Sequence, residues 1–298
     1  MSYLLDPDVL AYPTDWTDAW SVHEFRNVAH PLWCSLNDSL DFDYVAVPDI
    51  LGDVTSGGVA VERISVGQPR SDVALLHLHG GMYCLGTPEI DRVLNAPIAR
   101  ATGAEIFSVD YRLAPEHPFP AAVEDAISAY TTLVDAGRTV VIFGESAGGG
   151  LAAATTLAIR DAGMPIPSGL VLMSPMLDLT GSSDTYQTLT RADPDYADTT
   201  ALLAPAAAYA GDQALDHPLV SPLFADLAGL PPTLLQVGGR EVLLGDAIRF
   251  AKAMRRAGGD ITLDIADGCW HNYQLWYGVA EADRAISQVA DFVIGALS

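Results

Sequence analysis

Six short runs of β-prone residues punctuate the chain: Val73 to His79, Ile106 to Asp110, Thr139 to Phe143, Leu170 to Met173, Thr233 to Val237 and Ile261 to Ile265. Helical periodicity falls between most of them, over Pro120 to Ala136, Gly149 to Ala162 and Gly245 to Ala257, and again at the end from Val279 to Leu297. Strands that alternate with helices imply crossover units, hence a mostly parallel central sheet with helices on both faces and an α/β class. Upstream, two β-prone runs between Ile50 and Val66 flank Ser56-Gly57-Gly58 and predict an early hairpin. Residues 1–45 carry Trp16, Trp20, Phe25, Trp33 and Phe42 at spacings suited to short amphipathic helices broken at Pro7, Pro13 and Pro31. From Leu177 to about Leu230 the alternation stops, and a segment rich in Asp, Thr, Ala and Pro reads as a helical insertion. The expected organisation is therefore a covering segment over 1–45 and one large domain over 46–298, interrupted by an insertion at about 178–228.

Composition narrows the partners. The chain has 298 residues with 38 acidic and 15 basic side chains, a formal net charge of −23. Such a field repels polyanions, so nucleic acid is excluded as a partner bound through phosphate contacts. Half the residues are apolar and 18% are charged, enough to bury a large core. Cys34, Cys84 and Cys269 form no spaced framework and are expected to be free thiols in a reducing compartment. The first six residues lack the basic and apolar regions of a secretion signal, and no apolar run approaches the ~20 residues of a membrane span. A soluble, cytoplasmic protein without a membrane span is expected.

One constellation carries chemistry. A strand pattern, Val140 to Phe143, runs into Gly144-Glu145-Ser146-Ala147-Gly148-Gly149 and then into a helical pattern. A tight strand-to-helix turn of this kind presents its central serine at the sheet edge in a strained conformation, and the flanking glycines remove side chains that would clash. A neutral serine is a weak nucleophile and needs a base, which in turn needs an orienting acid. Two histidines follow Ser146: His217, next to Pro218 in the insertion, and His271, between the last strand and the last helix. His271 can reach the carboxyl edge of the sheet and is the expected base. For the acid, Glu241 stands close behind the strand ending at Val237 and is better placed than Asp246; Asp264 and Asp267 are more distant candidates. Backbone N–H groups of Gly80 and Gly81 in His79-Gly80-Gly81-Met82-Tyr83, together with that of Ala147, are the expected oxyanion donors. Met82, Tyr83 and Trp270 flank these residues and are candidate pocket walls. Cys84 and Cys269 have no evident base, which disfavours a thiol nucleophile.

His79-Gly80-Gly81, Asp110-Tyr111-Arg112-Leu113-Ala114-Pro115-Glu116-His117-Pro118 and Gly144-Glu145-Ser146-Ala147-Gly148-Gly149 together resemble the hormone-sensitive-lipase-like branch of the α/β-hydrolases, over roughly residues 45–297. That resemblance implies an α/β-hydrolase fold with a helical cap, built from the N-terminal segment and the insertion after the sixth strand. It implies a carboxylesterase acting on a small ester of short to medium acyl length, with no metal and no cofactor, and it admits a homodimer. It assigns Ser146, His271, Gly80, Gly81 and Ala147 the roles argued above, and it places the acid about thirty residues before the histidine, at Glu241. Two departures stand out: Glu241 replaces the usual Asp, and Met82 replaces a third glycine, which should crowd the pocket against bulky esters. The Asp110/Arg112 pair is expected to brace its loop by charge-assisted hydrogen bonds. Lactone, amide or carbamate hydrolysis would use the same triad. A non-catalytic small-molecule receptor of this fold would lack His271.

Overall fold

The structure is a computed structural model that describes residues 12–52, 58–193 and 199–297. An eight-stranded sheet spans it, from β1 (Val45–Leu51), β2 (Val59–Ser65), β3 (Arg70–Leu78) and β4 (Ala104–Val109) to β5 (Thr139–Glu145), β6 (Gly169–Met173), β7 (Thr233–Gly238) and β8 (Ile261–Ala266). The spatial order is β1-β2-β4-β3-β5-β6-β7-β8, antiparallel through β2–β4 and parallel thereafter. The early hairpin is present, in register from Val45 opposite Ser65 to Leu51 opposite Val59, and its first strand begins five residues earlier than the β-prone run suggests. The turn, with Ser56 and Gly57, lies outside the described residues.

Successive residues of the central strands face opposite sides, and both sides are buried. Leu76, Leu78, Ile142 and Leu172 enter one core with α3 (Ala121–Asp135), α4 (Ala147–Asp161) and α7 (Leu244–Arg256). Leu75, Val141, Phe143 and Val171 enter the other with α2 (Arg92–Thr102) and α8 (Ala280–Ala296). That double burial explains the near-continuous apolar strands. α2 has no counterpart in the sequence reading, for two reasons. Pro97 sits inside it, and every residue from Val93 to Ala99 is buried, so no polar face marks its period.

Among its described residues the N-terminal segment is also simpler than Pro13 and Pro31 suggest: one helix, α1 (Ala19–Cys34), runs through Pro31 and is followed by a 3-10 turn over Ser35–Ser39, while Pro7 lies outside the described residues. Arg26 fastens α1 to the core. Its Nε and Nη2 donate to the carbonyls of Cys84 and Ala114 at 2.7 Å each, and its guanidinium grips Glu116 at 2.7 and 2.9 Å. The insertion contributes a short α5 (Thr185–Thr188) and α6 (Thr199–Ala210). Arg112 braces its loop as expected, yet its partner is Asp125, held through both oxygens, and not Asp110. Among the described residues no helix is long and apolar enough to cross a membrane.

Candidate active site

Ser146 closes β5 and opens α4 with φ +54° and ψ −122°, a conformation an L-residue holds only when its surroundings impose it. They do so through the backbone. Ser146 N–H donates to the Met173 carbonyl at 2.9 Å, and its own carbonyl accepts from Met176 N–H at 2.9 Å and Gly150 N–H at 3.1 Å. Gly148 makes the turn sterically feasible, since a Cβ there would stand 1.9 Å from the Leu78 carbonyl oxygen.

His271 follows β8, where the chain folds back over the sheet edge. Its Nε2 lies 3.0 Å from Ser146 Oγ, and its Nδ1 lies 3.7 Å from Glu241 Oε2. All three side chains are buried. The same Glu241 oxygen accepts from Ser174 Oγ at 2.8 Å, and Ser174 Oγ accepts from Asn272 N–H at 3.2 Å. Ser174 thus ties the acid's carboxylate to the backbone next to the histidine. Burial pushes the Glu241 carboxyl up, while the His271 ring and the Ser174 hydroxyl pull it back down. Asp246 is removed from this geometry: it accepts from Tyr186 Oη at 2.9 Å and from Asp178 N–H at 3.2 Å, beneath the insertion. Asp264 lies mid-strand opposite Gln236 in β8, and Asp267 in the turn beyond it.

The expected oxyanion donors require a correction. Gly80 N–H donates to Glu145 Oε1 in a short hydrogen bond, so it is already taken by a buried carboxylate and not free for an oxyanion. Among the described residues, neither Gly81 N–H nor Met82 N–H donates to a protein acceptor, and both residues line the pocket beside Ser146. Gly81 is needed as glycine, because its φ is +111° and a Cβ would stand 2.3 Å from the Leu85 carbonyl oxygen. Met82 holds φ +57° without being glycine, a strained position in a residue whose thioether forms pocket wall.

Glu145 belongs to a buried polar cluster that the sequence did not announce. Its Oε2 accepts from His77 Nε2 at 2.9 Å. Asn95 Nδ2, which can only donate, approaches His77 Nδ1 at 2.9 Å, and Ser108 Oγ stands 2.7 Å from the same atom. These contacts put the ring proton on Nε2. Burial lowers the His77 ring to about 4, so it is neutral. Asp91 also hydrogen-bonds Glu145. Burial pushes both carboxyls up, Asp91 well above its ordinary value, while the Gly80 N–H and Asp91 pull Glu145 back down. Both Glu145 oxygens are acceptors, which assigns the shared proton to Asp91 and the charge to Glu145.

Around these groups, Trp33 and Leu36 from the N-terminal segment, Ile90, Leu275 and Trp276 form apolar walls of a cavity of about 110 Å³. Two of the candidate wall residues lie elsewhere. Tyr83 is buried beneath the loop and stacks on Tyr209 of the insertion at 3.7 Å between ring centroids, while Trp270 packs behind the site on Trp276 at 6.3 Å. Met82 is the one that reaches the cavity.

Comparison with known proteins bears on the fold and the family. A family model described as the α/β hydrolase fold matches residues 75–275. An acetyl-hydrolase of Streptomyces hygroscopicus is 38% identical over 252 residues, 84% of this chain and 83% of that one. An esterase of Acinetobacter venetianus is 37% identical over 248 residues, 79% of this chain and 78% of that one. The crystal structure of an esterase from the bacterial hormone-sensitive lipase family superposes with a TM-score of 0.87 at 34% identity, covering 100% of this chain and 97% of that one. The elbow at Ser146, the eight-stranded sheet and these likenesses together place the chain in the α/β-hydrolase fold family, in its hormone-sensitive-lipase-like branch.

Proposed function

We propose that the protein is a serine carboxylic-ester hydrolase working through an acyl-enzyme, with Ser146 as nucleophile, His271 as general base and Glu241 as the acid that orients it. The observation that carries this reading is Ser146 Oγ, held out on a strained elbow 3.0 Å from His271 Nε2. As Oγ attacks the ester carbonyl, His271 takes its proton, and the Glu241 carboxylate stabilises the imidazolium that results. The oxyanion that develops is met by the N–H groups of Gly81, Met82 and Ala147, the last at the positive end of α4. Collapse of the tetrahedral intermediate expels the alcohol, which receives the proton from His271. Water activated by the same ring then releases the acid.

A small acyl group is favoured. The cavity of about 110 Å³ is smaller than the ~150 Å³ that accommodates a benzene ring, and the Met82 side chain already occupies its wall. The relative named acetyl-hydrolase points the same way. The net charge of −23 opposes anionic substrates. In this reading residues 1–45 and the insertion at about 178–228 act as the cap, the former lending Trp33 and Leu36 to the pocket and the latter bracing it through Tyr209 on Tyr83.

The test is initial-rate hydrolysis of p-nitrophenyl esters from acetate to dodecanoate, with Ser146→Ala alongside. Turnover greatest on the shorter chains, and lower by several orders of magnitude in the variant, is the expected result. A wild-type rate no higher than that of Ser146→Ala on every chain length would refute esterase activity.

A further inference from the structure

A second cluster of potential ligands stands outside the catalytic pocket. His30 and Cys34 are one turn apart on α1, so their side chains share a face, and Glu89 reaches the same point from the segment before α2. His30 Nε2 lies 3.6 Å from Cys34 Sγ and 3.6 Å from Glu89 Oε2. One ligand atom from each of the three falls within 4.8 Å of the others. A tetrahedral zinc ion with Zn–N and Zn–O near ~2.0 Å and Zn–S near ~2.3 Å fixes the N···S edge at about 3.5 Å and the N···O edge at about 3.3 Å. The two edges formed at His30 are therefore within a few tenths of an ångström of a coordination sphere.

We propose that His30, Cys34 and Glu89 form a binding site for a divalent cation of the zinc class, with water as the fourth ligand. The donor set of imidazole, thiolate and carboxylate selects zinc-like ions over magnesium and calcium, which take oxygen. The His30 and Glu89 side chains are 37% and 46% exposed, which gives the ion a path and the ligands room to close the last gap. Burial and the Glu89 charge raise the Cys34 thiol to about 11, so binding must break the S–H bond and release its proton to solvent. Arg92 is the competing cation, 3.2 Å from Glu89 Oε1, but its guanidinium is engaged chiefly by Glu62, and the His30 contact uses Oε2. The other mixed cluster, His77, Asp91 and Glu145, is closed to a metal by the donors already on its carboxylate.

The position gives such an ion consequence. Trp33 and Leu36 flank Cys34, Ile90 and Asp91 follow Glu89, and all four line the catalytic pocket. An ion held between α1 and the Glu89 segment would join two walls of the pocket; this consequence, unlike the binding itself, rests on the proposed esterase reading.

The experiment uses the tag-free full chain, stripped with a chelator, and titrates Zn²⁺ by calorimetry and Co²⁺ by absorption. Expected are one site per chain, a thiolate-to-cobalt charge-transfer band, and release of about one proton per ion near neutral pH. Cys34→Ser should abolish the band, and His30→Ala and Glu89→Gln should each weaken binding at least ~10-fold. Cys269→Ser should retain both. Ester turnover of the variants in metal-free buffer, equal to that of wild type, shows that they fold. Absence of the band from wild type, or stoichiometric binding that survives in the His30→Ala/Cys34→Ser double variant, would overturn the proposal.

Discussion

The carboxylate of Glu145, adjacent in sequence to Ser146, accepts the backbone N–H of Gly80 and so aims the loop that carries Gly81 and Met82. Glu145 touches no reacting atom in the proposed mechanism; on that reading it acts by positioning the oxyanion donors. Glu145→Gln keeps the size but supplies a single oxygen, which cannot accept from Gly80, His77 and Asp91 together, and its NH₂ would oppose one of those donors. A well-placed oxyanion donor is worth about 10²–10³ in kcat, so misaiming the loop should lower kcat by ~10–100-fold. KM should change little, since the apolar walls are untouched. A matching fall in thermal stability with unchanged kcat per folded molecule would show that Glu145 is merely structural.

Asp91 gives that cluster a pH signature. The pair carries one proton at neutral pH, and loss of that proton from Asp91, whose carboxyl burial and the Glu145 charge hold well above its ordinary value, leaves two buried charges facing the pocket on the alkaline side. Asp91→Asn keeps a donor toward Glu145 and removes the second ionisation. At pH 7 the variant should turn over within a few-fold of wild type, and on the alkaline side its kcat should fall less steeply. Superimposable alkaline limbs in the two kcat profiles would count against the shared proton.

For the acid, Glu241→Gln retains an acceptor for Ser174 but removes the charge that steadies the His271 imidazolium. A loss of about 10²–10⁴ in kcat is expected by analogy with triads whose acid is neutralised. Ser174→Ala should cost less, ~3–10-fold, because it loosens a carboxylate that still faces the ring. Steady-state kinetics on one short ester separates the two. A Gln variant as active as wild type would assign the orienting role to another group.

The convergence of Ser146, His271 and Glu241 was legible in the sequence because the proposed acyl transfer calls for these residue types at strand ends. The proposed oxyanion donors were legible only to the loop. Which of its N–H groups face the pocket depends on Glu145, whose carboxylate takes the first, and a spacing motif does not encode that direction. Asp91 belongs to no motif, and the cluster's other members His77 and Asn95 come from β3 and α2, the latter a helix hidden by Pro97 and by burial on every side. Tyr83 read as a pocket residue from proximity alone; its real partner, Tyr209, belongs to an insertion whose packing the sequence did not specify.

Met82 limits what the pocket admits. Its backbone sits at φ +57°, where glycine is at ease, and its side chain forms cavity wall. Met82→Gly should relieve the strain and enlarge the cavity together, so the preferred acyl length should move upward and esters of tertiary alcohols should gain relative to acetate. Ratios of kcat/KM across an ester series read this directly. A uniform fall across the series would mean that Met82 supports the loop without shaping the pocket.

Asp246 tests the linkage between stability and pH away from the chemistry. Burial and the neighbouring Asp178 charge raise its carboxyl from an ordinary 3.8 to about 8. Asp178 itself is held low by Ser182, Thr180 and Arg249, and Arg249 Nη1 contacts Asp178 at 2.9 Å, so that pair carries the charges and leaves Asp246 protonated. Between about 4 and about 8 the folded protein retains a proton that the unfolded chain has released. Unfolding then liberates a proton, and this group's contribution lowers stability as pH rises through that window. Asp246→Asn keeps a carbonyl oxygen for Tyr186 and for the Asp178 N–H and cannot ionise. Its melting temperature relative to wild type should therefore rise from pH 5 to pH 8, by about 2–4 °C for each kcal/mol of linkage. A difference that falls over the same range would mean that Asp246 is ionised and paired in the folded protein.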